Sequence, residues 1–271
     1  MDLSERGAAL QRHPWELARS VFFKRLILDK ALDTRPGRSE PMRILDIGAG
    51  DGWFAQELIN DLPETAEVTC WDINYTSDDL NEGLPPRVHR TTERPLGSFD
   101  LVLMLDVLEH IPDDDQFLAE SVVPILASTG SFVLSVPAHQ WLFSSHDVAL
   151  GHYRRYAPAV ISKLLGRHFH IVSEGSLFTS LVPLRGVQKL VEKVGRNASH
   201  GMNHVPTHQP AAEQQGTEEA IGLAKWRLGT SATSVVTSVL AADGRLGRAL
   251  AQRGRRLPGL SYWAVCRTAR L

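Results

Sequence analysis

The sequence predicts an α/β fold with a mostly parallel sheet, and three observations support this fold class. Residues 42–47 form a short apolar run, a glycine-rich turn follows, and Trp53 to Asn60 has the pattern of a helix. Phe99 to Leu105 is almost continuously apolar, as a strand covered on both faces should be. The chain has 271 residues, of which 43% are hydrophobic, so it can bury a full core.

The turn after the first predicted strand has the composition of a cofactor cradle. It contains Gly48, Gly50 and Gly52, which let the backbone approach a ligand closely. The helix that begins at Trp53 adds unpaired N–H groups at its N-terminus. These features predict a nucleotide-cofactor site, although an ordinary strand–helix turn without a ligand has the same pattern.

The spacing of the glycines distinguishes between cofactors. The dinucleotide fingerprint G-x-G-x-x-G needs a third glycine where this chain has the bulky Trp53. Asp46, two residues before the first glycine, would repel a diphosphate but suits a cationic ligand. The motif D-x-G-x-G-x-G resembles the first motif of class I S-adenosylmethionine (SAM)-dependent methyltransferases, whose turn holds the methionine end of SAM. This resemblance implies a cofactor site made of Asp46, Gly48, Ala49, Gly50 and Gly52.

The next two predicted strands continue the same pattern. Glu67 to Ile73 alternates as a strand and carries Asp72 near its end, about 20 residues past the glycines. An acid at that position can accept both ribose hydroxyls of a nucleoside, so the resemblance implies that Asp72 and its neighbour Ile73 contact SAM. An aspartate that only caps a turn is the alternative. Arg87 to Thr91 is a weaker third strand.

A second motif follows the fourth strand. Residues 106–112 read D-V-L-E-H-I-P and resemble the corresponding loop of the small-molecule branch of these methyltransferases, which includes ubiquinone-biosynthesis enzymes. In that branch the loop lies against SAM, which implies cofactor contacts for Asp106 and Val107. Glu109 or His110 would then approach the acceptor. The alternative is a polar loop that caps the helix starting near Asp113.

The fifth predicted strand, Gly130 to Val136, leads into a segment rich in histidine. Residues 137–156 resemble a segment of a bacterial subgroup of these methyltransferases, of types 11 and 23. General bases, phenols and fixed positive charges on one loop suit an acceptor site. The candidates for catalysis are His110, His146, His152 and Tyr153, with Arg154 as an orienting group.

The same segment has two other interpretations: a solvated lead into a helix, which stays open, and a metal centre, which its spacing disfavours. Arg154, Arg155 and Tyr156 also fit a solvated lead into a helix that begins near Ala157. A metal centre would draw on His139, His146, Asp147 and His152, but their spacing matches no metal-binding motif. We therefore expect no metal.

Residues 8–33 have the pattern of one or two helices. His13-Pro14-Trp15, together with Arg19, resembles the N-terminal helix motif of the same subgroup, which lies over the SAM pocket. We therefore expect residues 1–40 to cover the cofactor site. Arg19 can pair with the methionine carboxylate of SAM, or else with an acid on the protein surface.

The last strands frame a long insertion. We expect the sixth strand at His168 to Glu174 and a closing strand at Leu260 to Arg267, inserted antiparallel beside the fifth. The intervening residues are too many for a structureless loop and carry two stretches of helical periodicity. We interpret 177–258 as a helical cap over the acceptor pocket, with a flexible segment at 195–216. A dimerisation element, a static flap and contact of its arginines with an anionic membrane are the alternatives.

The complete fold prediction is a Rossmann-like, seven-stranded class I methyltransferase sheet with N-terminal helices and a helical insertion between the last two strands. It divides the chain into the N-terminal helices (1–40), the SAM-binding core (41–176), the cap (177–258) and the closing strand (259–271). Whether the protein is a monomer or a homodimer stays open.

Composition narrows the possible partners and the setting. The net charge is −2 and the isoelectric point is near 6.6, which argues against a nucleic-acid partner. The two cysteines, Cys70 and Cys266, fall in predicted strands and suit reduced core thiols. The first residues lack an apolar signal region, and no apolar run is long enough to cross a membrane. We expect a cytoplasmic protein.

The function predicted from the sequence is SAM-dependent methylation of a small hydrophobic or amphipathic metabolite at oxygen, nitrogen or carbon, within secondary or cofactor metabolism. Methylation of protein or RNA would call for a basic groove or an Asn-Pro-Pro-Tyr-type motif, and neither is present in the sequence. A nicotinamide-dependent oxidoreductase is disfavoured by Asp46 and Trp53. A SAM-binding partner subunit without catalysis is the remaining alternative.

Overall fold

Seven strands form one mixed sheet in the computed structural model, which describes residues 12–32, 41–189, 229–255 and 257–269. The strand order is β3-β2-β1-β4-β5-β7-β6, and only β7 runs antiparallel to its neighbours. This confirms the predicted fold class, including the antiparallel closing strand. The strands are β1 (Arg43–Ile47), β2 (Glu67–Trp71), β3 (Val88–Thr91), β4 (Phe99–Leu105), β5 (Leu126–Pro137), β6 (Phe169–Leu177) and β7 (Ser261–Thr268).

Helices cover both faces of the sheet. In β1, Ile44 belongs to the core on one face and Leu45 to the core on the other, and both are fully buried. Such two-sided burial explains why the central strands are nearly continuous in apolar residues. The helices are α1 (Pro14–Leu26), α2 (Trp53–Ile59), α3 (Ser77–Asn81), α4 (Asp114–Phe117), α5 (Ser145–Ala149), α6 (Pro158–His168) and α7 (Thr230–Gln252).

Parallel pairing brings the loops that matter to one edge of the sheet. β1 lies between β2 and β4, and Ile44 is in register with Val68 on one side and Leu101 on the other. The carboxyl ends of these strands therefore lie at the same edge of the sheet. Ligands of open α/β sheets bind at this edge, beside the point where the strand order reverses.

Helix α1 is anchored at its start and buried along one side. His13 caps it by accepting a hydrogen bond from the N–H of Trp15 through Nδ1, at 3.2 Å. The proline at the first helical position suits this start, because its missing N–H would have no partner there. Phe22 packs edge-on against Trp263 of β7, with ring centroids 5.6 Å apart. The helix continues as a π-helical turn, Ile27–Ala31.

Two strands are longer than the sequence pattern predicts. β5 begins at Leu126, which pairs with Phe99 before the register shifts. A Cβ at Gly130 would lie 2.9 Å from the carbonyl oxygen of Phe99, so glycine is needed where the two strands draw close. β6 extends to Leu177 because its ladder with β7 continues as far as Ser261. Backbone pairing, which side-chain periodicity does not reveal, sets both ends.

The described part of the insertion includes helical residues 182–189 and helix α7. Helix α7 packs on α1 and β6 through two glycines. A Cβ at Gly247 would lie 2.9 Å from the carbonyl oxygen of Ser176, and one at Gly244 would lie 3.1 Å from the Phe22 ring. The predicted flexible segment 195–216 lies outside the described residues. The domain division and the cap therefore stay predictions.

No helix among the described residues is both long enough and apolar enough to cross a membrane.

Candidate active site

Every second residue of the turn after β1 is a glycine, and the backbone of the turn requires it. Gly48, Gly50 and Gly52 have φ angles of +66°, +56° and +70°, a region that residues with a side chain rarely adopt. A Cβ at Gly48 would also lie 2.4 Å from a methyl carbon of Val107, in the loop after β4. The glycines therefore allow both the turn itself and the close approach of the neighbouring loop.

Asp72 is fixed against this turn. The N–H of Gly50 donates to Oδ2 of Asp72 at 3.0 Å, and the N–H of Asn74 donates to Oδ1 at 3.0 Å. The carboxyl group is mostly buried, yet each oxygen keeps a lone pair for another donor. The next residue, Ile73, is 76% exposed and offers an apolar surface beside the carboxylate.

Asp46 is buried beneath the turn. Burial, partly opposed by the positive charge of Arg19, raises the pKa of Asp46 to about 7. The side chain therefore carries only part of a negative charge near neutral pH. A cationic group bound next to it would favour the charged form.

An open pocket of about 500 Å³ lies between α1 and the glycine turn. Helix α1 contributes side chains at intervals of three and four residues, which is the spacing of one helical face. Arg19, Asp46, Gly48 and Ala49 were expected at a cofactor site, and all four line the pocket. The other lining residues are Glu16, Ser20, Phe23, Asp51, Trp53, Phe54 and Leu105.

The sequence analysis did not predict most of the α1 residues that line the pocket, although their spacing along the helix indicates a shared face. Glu16, Arg19, Ser20 and Phe23 follow an i, i+3, i+4, i+7 pattern that mixes polar with apolar residues. The remaining expected cofactor residues are outside the pocket lining, on the loops that surround it; they are Gly50, Gly52, Asp72, Ile73, Asp106 and Val107.

Arg19 connects α1 to the ends of β4 and β5. Its Nη2 lies 2.8 Å from Oδ2 of Asp106 and donates to Oγ of Ser135 at 3.1 Å. Ser135 in turn donates to Oδ1 of Asp106 at 2.8 Å. Arg19 thus forms an ion pair within the protein, and a ligand carboxylate at the pocket would have to share its guanidinium.

A second contact holds α1 over the turn. Arg12 pairs with Asp51 at 2.5 Å, and its guanidinium lies 4.2 Å from the centre of the Trp53 ring. Trp53, which occupies the place of a dinucleotide glycine, therefore helps to hold the N-terminal helix across the cradle.

The histidine-rich segment is organised around Asp147, which is fully buried. Asp147 accepts hydrogen bonds from the N–H of Ser144 at 2.9 Å and from Nε of Arg155 at 2.7 Å, and its Oδ1 lies 3.0 Å from Nδ1 of His152. Burial alone would raise the pKa of Asp147, but its contacts with His152 and Arg155 hold that pKa below the ordinary value. Gly151, at φ +75°, turns the chain after α5 so that His152 can reach back.

His152 meets the loop after β4. Its ring centroid lies 4.7 Å from that of His110, with the two rings nearly perpendicular. Glu109 is fully buried, neither of its carboxyl oxygens has a hydrogen-bond partner among the described residues, and burial followed by the charge of Asp106 raises its pKa well above the ordinary value. One ligating atom from each of Glu109, His110 and His152 lies within 4.8 Å of the other two.

The other candidates from this segment lie around that cluster. Tyr153 is 58% exposed, and its N–H donates to the carbonyl oxygen of Glu109 at 2.8 Å. His146 lies on α5 and is half-buried. Arg154 pairs with Asp114 at 2.8 Å, and Arg155 is held by Asp147, so neither guanidinium is simply solvated.

Comparisons with known proteins point to one family. The model of a methyltransferase domain family matches residues 18–181, which is more than half of the chain. A search of curated proteins gives no match. A chain from a complex that contains the Haloferax volcanii Trm112 methyltransferase activator is 13% identical, with a TM-score of 0.50, and the match covers 94% of this chain and 95% of that one. At this identity the likeness concerns the fold.

A second solved structure is Haemonchus contortus phosphoethanolamine N-methyltransferase 2 in complex with S-adenosyl-L-methionine. It is 16% identical, with a TM-score of 0.49, and the match covers 92% of this chain but only 52% of that one. The family match, the sheet order and the glycine turn lead to one assignment. The chain belongs to the methyltransferase domain family and is a class I SAM-dependent methyltransferase.

Proposed function

We propose that this methyltransferase acts on a small hydrophobic or amphipathic metabolite that binds where the loop after β4 meets the segment after β5. The observation that carries the proposal is the meeting of Glu109, His110 and His152 at the carboxyl edge of the sheet. That edge also holds the glycine turn. An acceptor at the cluster would therefore face the cofactor.

We place SAM across the turn and the α1 pocket. Asp72 suits the ribose, since both of its oxygens keep accepting capacity beside Gly50, and the exposed Ile73 suits the adenine ring. Asp46 and Arg19 both line the pocket. The acid Asp46 suits the ammonium of the methionine end of SAM, and the cation Arg19 suits its carboxylate. Bound SAM supplies a methyl group on a sulfonium.

The residues of the cluster bind the acceptor and remove its proton. Methyl transfer needs the acceptor atom aligned with the methyl carbon and sulfur, and a neutral hydroxyl or an ammonium must also lose a proton. Imidazole groups are suited to accept that proton near neutral pH. We therefore favour an oxygen or nitrogen acceptor over a carbon one, with the exposed Tyr153 as an orienting group. We propose the cytoplasm and secondary or cofactor metabolism as the setting.

Two measurements test this proposal. Calorimetry should show binding of SAM and S-adenosylhomocysteine and no binding of NAD, since Trp53 and Asp46 do not suit a diphosphate. Incubation with SAM and a metabolite library should then give a product 14 mass units heavier than one library member. Preferential binding of NAD would refute the assignment of the cradle. SAM binding without a product from any small molecule, but with one after addition of a protein or RNA substrate, would refute the acceptor class.

A further inference from the structure

Three side chains that can each offer a ligand atom to a metal ion meet beside the proposed acceptor position. One ligating atom from each of Glu109, His110 and His152 lies within 4.8 Å of the other two. His110 and Glu109 are adjacent in the loop after β4, whereas His152 comes from the segment after β5. Their meeting is therefore a product of the fold and not of a local sequence motif.

Glu109 is the least expected member of this cluster. Its side chain is fully buried, and neither carboxyl oxygen has a hydrogen-bond partner within the described residues. Buried charged groups in proteins are normally paired, hydrogen-bonded or bound to a metal. The backbone of Glu109 is held in place, because its carbonyl oxygen accepts from the N–H of Tyr153. The backbone bond positions this residue, while its buried carboxyl group has no hydrogen-bond partner within the described residues.

His152 has the support typical of a metal ligand. Nδ1 of its ring lies 3.0 Å from Oδ1 of the fully buried Asp147. A ring whose Nδ1 is engaged by a carboxylate keeps the Nε2 lone pair for another partner, which is the usual arrangement around metal-bound histidine. Asp147 is in turn fixed by Ser144 and Arg155.

We propose that Glu109, His110 and His152 bind one divalent transition-metal ion of the zinc type. Two imidazoles with one carboxylate form a ligand set found at catalytic zinc sites, whereas Mg²⁺ and Ca²⁺ prefer oxygen ligands. Ligands about 2.1 Å from a shared ion are about 3.5 Å apart in a tetrahedral site. Because all three separations are within 4.8 Å, none has to close by more than about 1.3 Å, which side-chain rotation can supply.

Three protein ligands leave coordination positions open. If the proposed function holds, on which this role rests, the open position takes the acceptor hydroxyl. A metal–oxygen bond then forms, and the hydroxyl proton leaves to solvent. The oxygen next forms a bond to the methyl carbon while the carbon–sulfur bond of SAM breaks, and its electron pair stays on sulfur. The ion lowers the pKa of the hydroxyl, which is a recognised role of bound zinc.

Metal binding is testable without any acceptor. The full-length protein, freed of metal by a chelator, is titrated with Zn²⁺ in a calorimeter and with Co²⁺ by visible absorption. We expect one ion per chain at the site, and Glu109→Gln and His152→Gln should each weaken binding by more than about tenfold. Both replacements are close in size to the original residues. Thermal unfolding and SAM affinity show whether each variant retains its fold.

A matched control is His89→Gln, which removes an exposed histidine from the edge strand β3. It should leave Zn²⁺ and Co²⁺ binding unchanged. Absence of binding by the wild type, or equal affinity in the wild type, Glu109→Gln and His152→Gln, would overturn the metal site. If the site binds zinc but chelator-treated enzyme keeps full turnover, the catalytic role is overturned while the proposed methyl transfer stands. Zinc binding by a protein that fails to bind SAM would instead refute the proposed function alone.

Discussion

The backbone N–H of Gly50 donates a 3.0 Å hydrogen bond to Oδ2 of Asp72. This bond joins the turn after β1 to the end of β2, so the two halves of the proposed SAM site are held as one unit. A change on either side should therefore disturb the position of the other.

Gly50→Val should reduce SAM affinity by about 5- to 150-fold. The φ angle of +56° at Gly50 strains any residue with a branched side chain, and the cost of such strain is about 1–3 kcal/mol. Calorimetry measures the affinity, and circular dichroism with thermal unfolding reports the fold. Gly83→Ala is the matched control, because a Cβ there meets nothing within 4 Å. SAM affinity equal to that of the wild type in Gly50→Val would place the ligand elsewhere.

Asp72→Ala should weaken SAM binding by about 1.5–3 kcal/mol, the usual worth of hydrogen bonds to a charged group. The loss includes both the ribose contact and the anchoring of Gly50. Asp78→Ala removes an exposed carboxylate from the nearby helix α3 and serves as the control. Equal SAM dissociation constants for Asp72→Ala and Asp78→Ala would move the ribose contact to another residue.

Asp46→Asn should stabilise the ligand-free protein increasingly as pH rises. Burial raises the pKa of Asp46 from 3.8 to about 7, so the folded state holds the proton more tightly than the unfolded chain. The protonated Asp46 carboxyl therefore stabilises the folded state fully below about pH 4, and this stabilisation is lost as pH rises through 7. By pH 8 the difference between variant and wild type can reach about 4 kcal/mol.

Chemical unfolding of both proteins at pH 5, 6, 7 and 8 measures this effect. Taking the difference between the two removes contributions that both share, such as that of the buried Glu109. A difference in unfolding free energy that stays constant across this range would show that Asp46 does not titrate as described.

His110→Ala and His152→Ala should each lower kcat by about 10²- to 10⁴-fold, whether the ring acts as a base or holds an ion. We expect a smaller loss for His146→Ala, because His146 is not part of the three-residue cluster. Turnover is measured with the acceptor identified by the library screen, and SAM affinity is measured in parallel. If all three variants keep turnover within about threefold of the wild type, the enzyme works by positioning alone.

Two glycine-to-alanine changes should have opposite effects on stability. Gly247→Ala in α7 should lower the free energy of unfolding by about 1–3 kcal/mol, since a Cβ there would lie 2.9 Å from the Ser176 carbonyl oxygen. Gly166→Ala in α6 meets nothing within 4 Å and should raise it by about 0.5–1 kcal/mol, because alanine favours a helix. Thermal and chemical unfolding measure both. A neutral or stabilising Gly247→Ala would mean that α7 does not pack closely on β6.

The sequence by itself determined the sheet and the cofactor turn. Apolar runs mark buried strands such as β4, whose observed bounds match the predicted ones, because two-sided burial leaves a local signature in every residue. The alternating glycines are local as well, since each is required by the backbone conformation at its own position. The family resemblance rested on these local features, and the family match confirms it.

Only the tertiary structure decided which polar groups meet. The pairing of Arg19 in α1 with Asp106, and the cluster of Glu109 and His110 with His152, join residues from separate parts of the chain. The spacing of the histidines along the chain predicted no metal, because two members of the proposed ligand set, Glu109 and His110, come from the loop after β4 and only His152 comes from the histidine-rich segment. Such contacts depend on strand order, on the burial of Asp147 and on the turn at Gly151. They leave no periodic trace in the sequence, because the partners are distant along the chain and become neighbours only when the sheet is complete.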